Sequence, residues 1–355
     1  MTTIVSFSVD YIQYLTPEAK LLCPLPEGLK DPKQLIALYQ KMAFLRAFDA
    51  KAVILQRTGK LGTYPAALGQ EAVSMSMGYA MEPQDVLVPY YRDQGALLER
   101  GVLPSEIYAY WGGDERGSSF VSATNPKDFP LCVPIATQLL HAAGVAYAFQ
   151  LRKQPHAVVT SCGEGGTSEG DFYEAINFAG ACQLPVVFVV NNNQWAISVP
   201  RSKQTRTTTI AQKAIAGGFE GIQVDGNDVI AMVGTMQAAL KKARTGGGPT
   251  LIEAITYRLC DHTTADDAKR YVHPDDLKKA WDLEPLKRLQ RYLIDNNLWN
   301  SDAEASMQQD IEATIKQAVE DYLQLPPAPH TDMLDYLYAV LPKAYQSQRA
   351  ALMAH

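Results

Sequence analysis

Residues 157–193, AVVTSCGEGGTSEGDFYEAINFAGACQLPVVFVVNNN, place two apolar runs on either side of a helical stretch. The runs predict strands at about 157–162 and 185–190, and the stretch between them predicts a helix over about 171–183. A glycine-rich turn containing Glu164 follows the first strand, and three asparagines follow the second. Strand, helix and strand at this spacing indicate a βαβ unit, whose two strands are parallel.

The same alternation extends to both sides of this unit. A helix is predicted over about 136–151, a short strand at 221–225, a helix over about 228–244 and a strand at 251–257. The strands are nearly continuous apolar runs, as expected when both faces of a sheet are covered. The predicted fold class is therefore α/β, a parallel sheet flanked by helices on both faces.

The chain divides into three predicted regions. Residues 1–34 are interrupted by prolines and read as an N-terminal arm. Residues 35–275 form the α/β domain, and residues 276–355 form a C-terminal helical extension packed on the same domain.

The C-terminal extension shows the apolar spacing of amphipathic helices. Helices are predicted over 276–294 and 302–323. Ser301 and Glu304 have the spacing of a capping box, which predicts the start of the second helix.

Composition excludes several classes of protein. The 355 residues are 47% hydrophobic and 20% charged with a formal net charge of −6, which argues against nucleic acid or an anionic membrane surface as a partner. No uninterrupted apolar run approaches the length that spans a membrane.

The cysteines predict a reducing compartment. The five cysteines are widely scattered and include no CxxC pair, so they suit isolated thiols better than a disulfide framework or a zinc site. The first residues carry no Lys or Arg before Lys20, so we expect neither a signal peptide nor a transit peptide. We expect a cytoplasmic protein.

The glycine-rich turn allows three functional interpretations besides a purely structural one. A dinucleotide-binding GxGxxG motif would need glycine at Ser168, and a P-loop would need Gly-Lys-Ser/Thr where Gly170 is followed by Asp171 and Phe172. The turn alone fits equally well a plain strand-to-helix connection that needs glycine for backbone reasons.

The third interpretation combines Glu164 with the asparagines. In an open parallel sheet, ligands bind beyond the carboxyl ends of the strands, where both segments lie. Carboxylate, amide and carbonyl oxygens are ligands suited to Mg²⁺, which keeps part of its shell for phosphate oxygens. Glycine N–H groups and the start of the following helix then favour those phosphates. The sequence thus predicts a metal-assisted diphosphate site.

Longer motifs identify a family. Gly163-Glu164-Gly165, followed by Asn192-Asn193, resembles the thiamine diphosphate motif. Together with VDGNDV and GPTLIEAITYRLCDHTTADD, the segment resembles the α chain of the 2-oxo acid dehydrogenase E1 component over roughly residues 35–345. The resemblance implies the thiamine diphosphate-binding fold, with this chain as its diphosphate-binding domain.

The resemblance assigns ligands for the metal and the diphosphate. Glu164, Asn193 and the backbone carbonyl of Trp195 would hold Mg²⁺. The N–H groups of Gly165 and Gly166 would contact the diphosphate of thiamine diphosphate.

Three further residues are assigned near the phosphates. Tyr91 and Arg92 match the family's Tyr-Arg pair, and a guanidinium suits bidentate phosphate contact. Without the motif, a surface salt bridge would be the favoured interpretation of Arg92. His262 matches a histidine near the phosphates and the reacting centre, where a near-neutral pKa would serve proton handling. A lone histidine is otherwise more often structural.

The segment Val133–Gln138 matches the residues beneath the cofactor. Val133 and Ile135 would contact it, and Ile135 would support its bent conformation. Some relatives hold a potassium ion in this segment, which would involve Thr137 and Gln138.

The chain also departs from the family pattern. Glu164 replaces the commoner Asp, as in branched-chain relatives, and Asn191 stands where an Arg often touches the diphosphate. Cys132 replaces a serine. Thr63 occupies a position that is usually aromatic, at the substrate entrance.

The resemblance implies a function with partners. The chain would be the alpha subunit of pyruvate dehydrogenase E1, which carries out oxidative decarboxylation of pyruvate and acyl transfer to the lipoyl group of E2. Because the chain has only one α/β pattern, a β chain would complete an α₂β₂ heterotetramer. The alternative is the alpha subunit of branched-chain 2-oxo acid (2-oxoisovalerate) dehydrogenase E1; a non-catalytic binding subunit and a nicotinamide dehydrogenase are more distant alternatives.

Overall fold

A six-stranded, fully parallel sheet forms the centre of the computed structural model, which describes residues 2–354. Met1 and His355, the ends of the predicted arm and extension, lie outside the described residues. The strands are Tyr11–Ile12 (β1), Val86–Val88 (β2), Val158–Gly163 (β3), Val186–Asn192 (β4), Trp195–Ala196 (β5), Val199–Pro200 (β6), Glu220–Asp225 (β7) and Thr250–Ile255 (β8). The order in the sheet is β1-β7-β8-β4-β3-β2, and β5 pairs with β6 in a separate antiparallel hairpin.

Helices cover both faces of the sheet, which confirms the predicted fold class. The helices predicted over 136–151, 171–183 and 228–244 are confirmed within one or two residues. No helix within residues 2–354 is long and apolar enough to cross a membrane. The helices are Pro32–Arg57 (α1), Glu71–Ala80 (α2), Gln94–Glu99 (α3), Pro104–Trp111 (α4), Thr137–Leu151 (α5), Gly170–Cys182 (α6), Arg201–Gln204 (α7), Val229–Arg244 (α8), Pro274–Asp282 (α9), Pro285–Asp295 (α10), Ser301–Leu323 (α11), Asp332–Asp335 (α12) and Lys343–Met353 (α13).

The central strand β4 separates two apolar layers. Val187 and Val189 pack into the layer formed with α1, α2, α8 and the C-terminal helices. Val186, Phe188 and Val190 face the opposite layer, formed with α5 and α6. Since side chains alternate between the faces of a strand, a run of apolar residues is needed where both faces are buried.

The pairing of β3 with β4 brings the two predicted ligand segments together. Val158 pairs with Val186, and the register continues to Gly163 opposite Asn191. Both strands therefore end at the same edge of the sheet, as the sequence predicted.

The C-terminal helices differ from their prediction in two places. The helix predicted over 276–294 is interrupted, and α9 ends before Glu284, whose side chain accepts hydrogen bonds from the N–H groups of Leu286 and Lys287 at the start of α10. The capping box at Ser301 was wrong: Asn300 caps α11 by accepting a hydrogen bond from the N–H of Ala303.

The N-terminal segment contributes a strand to the edge of the sheet. Tyr11 and Ile12 pair with β7, and the N–H groups of Tyr14 and Leu15 donate to the Asp228 carboxylate at 2.7 and 2.6 Å. The same carboxylate caps α8. The boundaries of the arm and of the α/β domain stay predictions.

A close helix contact lies behind the glycine-rich turn. The Cα of Gly180 in α6 faces the backbone of the 3₁₀ turn Ala211–Gly217, and a Cβ at this position would lie 1.7 Å from the carbonyl oxygen of Gly217. By contrast, a Cβ at Gly144 in α5 would meet no atom within 4 Å.

These two glycines give a matched pair of substitutions. Gly180→Ala should lower the free energy of unfolding by about 3 kcal/mol, because the added methyl group can be accommodated only if the backbone at Gly217 moves away. Gly144→Ala should leave stability unchanged or raise it by up to about 1 kcal/mol, the helix-propensity difference. Thermal unfolding of the two variants measures the difference. Equal stability for both would contradict the close contact at Gly180.

Candidate active site

A cavity of about 280 Å³ opens at the carboxyl ends of β3 and β4. It brings together segments from residue 90 to residue 262 of the chain. Val133, predicted beside it, is half-exposed and does not line it. The predicted site residues that line the cavity are Tyr91, Arg92, Ile135, Glu164, Gly165, Gly166, Asn193, Trp195 and His262.

Glu164 is a buried carboxylate with an unsatisfied oxygen. The residue is 1% exposed, and its Oε2 accepts one long hydrogen bond, 3.3 Å from the N–H of Asn193. Oε1 has no partner among the described residues. Burial raises the pKa of the Glu164 carboxyl to about 7. An unpaired carboxylate in such a place favours a cation.

Asn193 is held in one orientation by Gln70. The Asn193 Nδ2 donates to Gln70 Oε1 at 2.8 Å, so the amide oxygen must face the other way. That oxygen, Oδ1, accepts from the N–H of Trp195 at 3.1 Å and retains a second lone pair. The amide oxygen is therefore available to a cation beside Glu164.

The loop after β4 has a specialised backbone. Gln194 and Ile197 both have positive φ angles, 73° and 53°. The Trp195 carbonyl between them accepts a hydrogen bond from Arg258 Nη1 at 3.3 Å. Of the three predicted metal ligands, Trp195 is thus the one whose oxygen already accepts a hydrogen bond from a cationic side chain.

Any metal at this edge would need mixed oxygen ligands. Across residues 2–354, His, Cys, Asp and Glu side chains form no cluster of three or more suited to a metal. A single carboxylate with amide and carbonyl oxygens suits a hard cation that keeps water or ligand oxygens in its shell. Glu164 and Asn193 meet that description.

The glycines form a tight 3₁₀ turn, Glu164–Ser168, directly after β3. A Cβ on Gly165 would lie 2.6 Å from the Cβ of Ala196, and one on Gly166 would lie 3.2 Å from the Cβ of Cys162. The first N–H groups of a helical turn have no acceptor within it. The missing side chains therefore let these N–H groups lie close to the cavity.

Arg92 is a buried cation and not a surface salt bridge. It is 2% exposed and pairs with no carboxylate in the part of the chain that the structure describes. Its Nη1 donates to the Ala66 carbonyl at 2.5 Å, its Nη2 donates to the His262 carbonyl at 3.0 Å, and Nε has no partner. The guanidinium lies over the Tyr91 ring at 5.4 Å.

His262 lies between two guanidinium groups. Its Nδ1 is 3.3 Å from Arg92 Nη2 and 3.5 Å from Arg258 Nη1. Burial, Arg92 and Arg258 together lower the pKa of His262 to about 4. The sequence did not reveal these two adjacent cations, which move the pKa of His262 away from its near-neutral reference value.

The same contacts fix the tautomer of His262. Guanidinium groups only donate, so Nδ1 must be the acceptor and the ring proton must lie on Nε2. The backbone is fixed as well, since the His262 N–H donates to Asp266 Oδ2 at 2.8 Å. The neutral ring can thus donate from Nε2 to an anionic group.

The segment beneath the predicted cofactor carries a strained residue. Ala136 has a φ of 65° at the start of α5, and Ile135 before it is 48% exposed at the cavity. The Thr137 hydroxyl donates to the Pro134 carbonyl at 3.2 Å and lies 3.2 Å from the Cys132 sulfur.

Gln138 at the start of α5 has one free oxygen. Its Nε2 donates to the Ser161 carbonyl at 2.6 Å, while its buried Oε1 has no partner among residues 2–354. This oxygen is the feature of the segment that a potassium ion would use.

Two departures from the family pattern have clear surroundings. The Asn191 side chain accepts from the Thr256 hydroxyl at 2.8 Å and donates to the Tyr90 hydroxyl at 3.3 Å, and it does not line the cavity. Thr63 is exposed and likewise away from the cavity.

Sequence reasoning missed two residues that organise the site. Gln70 orients Asn193, and Arg258, 2% exposed, contacts both the Trp195 carbonyl and His262. Arg258 follows β8 at the same sheet edge as Glu164, and that position could have suggested a role. Nothing near Gln70 in the sequence indicates its partner 123 residues away.

Comparison with known proteins indicates one family. The family described as "Dehydrogenase E1 component" matches residues 39–329. The chain is 41% identical over 320 residues to the 3-methyl-2-oxobutanoate dehydrogenase subunit alpha of Mycobacterium tuberculosis, covering 89% of this chain and 86% of that protein. It is 38% identical over 320 residues to the pyruvate dehydrogenase E1 component subunit alpha of Staphylococcus aureus, covering 89% and 85%. Because the two identities are so similar, they do not show which of the two relatives this chain resembles in its substrate.

The low pKa of His262 predicts a pH-dependent stability. Between pH 6.5 and about 4 the folded chain binds fewer protons at His262 than the unfolded chain, so the free energy of unfolding falls as pH decreases. His262→Asn keeps an acceptor near Nδ1 and removes this loss, which is on the order of 2–3 kcal/mol. Denaturant unfolding at pH 7 and pH 4 gives the free energy of unfolding of the variant and of the original chain.

The control is His141→Asn, which changes an exposed histidine on α5 and should lose as much stability at pH 4 as the original chain. The same loss in His262→Asn as in the original chain would contradict the assignment.

Proposed function

This chain belongs to the dehydrogenase E1 component family as an alpha-type subunit of a 2-oxo acid dehydrogenase, and we propose that it binds the diphosphate of thiamine diphosphate in a pyruvate dehydrogenase E1. The observation that carries the proposal is the pairing of unlike charges in one cavity. The unsatisfied Glu164 carboxylate lies there together with the buried guanidinium of Arg92. A second buried guanidinium, that of Arg258, contacts two residues that line the cavity, Trp195 and His262. A metal ion would neutralise the carboxylate, and a diphosphate would neutralise the guanidinium groups. A metal diphosphate therefore suits this arrangement.

Mg²⁺ would be held by three oxygens of the chain. Glu164 would supply a carboxylate oxygen, Asn193 its Oδ1 and Trp195 its backbone carbonyl. The unpartnered Oε1 of Glu164 supports this assignment, since a cation would satisfy it. For Trp195 the hydrogen bond from Arg258 would have to weaken.

The diphosphate would be bound by backbone and side-chain donors. The first N–H groups of the turn, Gly165 and Gly166, would donate to it, and Arg92 would use the Nε that has no partner. Tyr91 lines the same cavity beside Arg92. His262 would donate from Nε2, because its Nδ1 is taken by the two arginines.

Thiamine diphosphate supplies the carbanion stabilisation that decarboxylation of a 2-oxo acid requires. The chain's own contribution is to bind, orient and shield. Ile135 would support the bent conformation from below, where it lies against Gly166. Val133 does not line the cavity formed by this chain. It would contact the cofactor only in the site completed by the β chain. Thr137 and Gln138 would hold a potassium ion; Gln138 Oε1 supports this, whereas the thiol of Cys132 is a softer neighbour than the serine of relatives.

The remaining parts of the reaction need partners. The substrate's carboxylate would leave as carbon dioxide, and the acyl group would pass to a lipoyl group of E2, whose disulfide is reduced. An E1 β chain would supply the carboxylic acid that acts on the aminopyrimidine, in an α₂β₂ assembly. Apolar side chains at the cavity, Ile135 at 48% and Ile197 at 56% exposure, support a second chain covering this region. The five unpaired cysteines support a cytoplasmic location.

Pyruvate is the proposed substrate. The motifs GDFYEAINFAG and VVNNNQWAIS support it by their resemblance to bacterial pyruvate-type α chains. Glu164 in place of Asp and the segment HTTADD favour the alternative, a branched-chain 2-oxo acid dehydrogenase E1.

Substitution of Glu164 tests the metal site. Glu164→Gln keeps the volume and removes the charge, so Mg²⁺-dependent binding of thiamine diphosphate should weaken at least tenfold, as expected for loss of a charged ligand. Isothermal calorimetry on the chain assembled with its β partner measures the dissociation constant. Glu174→Gln, an exposed carboxylate on α6, is the control and should bind as the original does. Unchanged affinity for Glu164→Gln would remove the metal assignment.

Substrate preference is tested by dye reduction with the assembled αβ enzyme. With Mg²⁺ and thiamine diphosphate present, kcat/KM for pyruvate should exceed that for 3-methyl-2-oxobutanoate by about tenfold or more, the scale on which a pocket discriminates small apolar groups. A preference for the branched acid would move the enzyme to the branched-chain alternative. No cofactor-dependent turnover of either acid would contradict the proposed function.

A further inference from the structure

Lys213 is a buried cation with no carboxylate partner. It is 6% exposed and lies in the 3₁₀ turn Ala211–Gly217. Its Nζ donates to the carbonyl and the hydroxyl of Thr167, at 2.7 and 2.9 Å, and lies over the rings of Phe172 and Tyr173 at 5.6 and 5.3 Å. In the chain from residue 2 to 354, no Asp or Glu oxygen forms an ion pair with it. Burying a charge without a counter-charge is costly, so the charge itself requires an explanation.

The segment that carries Lys213 is rigidly held. The carboxylate of Glu253 on β8 accepts hydrogen bonds from the N–H groups of Ile210 and Ala211, at 2.8 and 3.0 Å, at the start of the turn. At its end, Gly217 lies against Gly180 with no room for a side chain. The backbone on both sides of Lys213 is therefore held in place, and the ammonium group itself is held by its two hydrogen bonds to Thr167.

A continuous hydrogen-bond chain connects Lys213 to the glycine-rich turn. The ammonium donates to Thr167 Oγ1, and the Thr167 hydroxyl donates to the carbonyl oxygen of Glu164 at 2.6 Å. That carbonyl belongs to the same peptide group as the N–H of Gly165. Because hydrogen bonds in a chain polarise one another, a cation at one end strengthens the donor at the other end.

We propose that Lys213 is a positioning residue for the diphosphate: through Thr167 and the Glu164 peptide, its buried charge orients the glycine-rich turn and strengthens the Gly165 N–H as a donor to an anion. This inference rests on the proposed function, which gives Gly165 its role toward the phosphates. It assigns no contact between Lys213 and the cofactor. It also explains why the ammonium lies behind the turn without a carboxylate, which would cancel its effect on an anion.

The proposed role and a purely structural role of Lys213 differ in which ligands lose affinity when the charge is removed. A polarised N–H acts only on the phosphate end of the ligand, so inorganic pyrophosphate with Mg²⁺ and thiamine diphosphate should lose affinity by the same factor. Loosening of the whole cavity would also weaken contacts with the rings of the cofactor, and thiamine diphosphate would then lose more than pyrophosphate.

The test uses Lys213→Met in the chain assembled with its β partner. Methionine keeps the length and apolar volume of the stem and removes the charge. Isothermal calorimetry with Mg²⁺ should give a dissociation constant about tenfold higher for thiamine diphosphate, and about tenfold higher for pyrophosphate, the scale on which one buried positive charge acts on a nearby anion without contact. Thr167→Val keeps Lys213 and removes the hydroxyl that connects it to the Glu164 carbonyl. Both constants should rise roughly threefold, less than in Lys213→Met, since the ammonium group still contacts the turn through the Thr167 carbonyl.

A matched control comes from another lysine. Lys242 Nζ also donates to a carbonyl and a threonine hydroxyl, those of Pro249 and Thr250, both at 3.0 Å, but it pairs with Glu220 and lies away from the cavity. Lys242→Met should bind both ligands as the original chain does.

The outcomes distinguish the two proposals. Failure of the original assembly to bind thiamine diphosphate with Mg²⁺ would overturn the proposed function and, with it, the role of Lys213. Normal binding by the original together with unchanged constants in Lys213→Met would overturn this inference alone. A selective loss of thiamine diphosphate over pyrophosphate would also overturn it, in favour of a structural role. If Lys213→Met does not fold, the Thr167→Val constants decide: unchanged values reject the relay.

Discussion

The parallel pairing of β3 with β4 is the constraint on which the site depends. It sets Gly163 opposite Asn191, so the turn at Glu164 and the loop at Asn193 leave the sheet side by side. The register is fixed because β4 is buried on both faces, and a slip by one residue would exchange Val187 and Val189 with the residues of the opposite layer. The contact between the Glu164 carboxylate and the Asn193 N–H, at 3.3 Å, follows from this packing. Strand pairing deep in the core thus sets the geometry of the ligands at its edge.

Buried charge distinguishes this edge from the rest of the sheet. Elsewhere, buried arginines are paired, as Arg100 is with Asp128 and Arg288 with Asp225. Arg92 at the cavity, and Arg258 and Lys213 near it, make hydrogen bonds to carbonyls and hydroxyls, and no ion pair joins them to a carboxylate within the described chain. Glu164 in turn has one oxygen with no donor. Charges that are desolvated but not paired cost stability, and an arrangement of this kind is expected where a charged ligand supplies the missing partners.

The sequence predicted the central helices and strands, and the segments that hold Glu164 and Asn193, from local signals. Apolar runs, glycines and their spacing are local signals, and they identified α5, α6, α8, the strands β3, β4, β7 and β8, and the segments that hold Glu164 and Asn193. The errors came from local competition between similar signals. Asn300 caps α11 although Ser301 and Glu304 have the spacing of a capping box. The Glu304 carboxylate instead accepts hydrogen bonds from Tyr39 and Trp299.

The residues that the sequence did not reveal act through non-local contacts. Gln70, Arg258 and Lys213 act through partners that only the folded chain brings near, and the pKa of His262 depends on two arginines from different segments.

His262 shows why these residues act together and not one by one. Its ring is neutral because Arg92 and Arg258 hold Nδ1 as an acceptor and because burial disfavours a third positive charge. An anion bound at Arg92 would compete for the same guanidinium and would also offset its charge at the ring. Both effects raise the pKa of His262 towards its ordinary value, since an opposite charge nearby favours the protonated form. Binding of an anion in the cavity would therefore be coupled, through Arg92, to the protonation of His262.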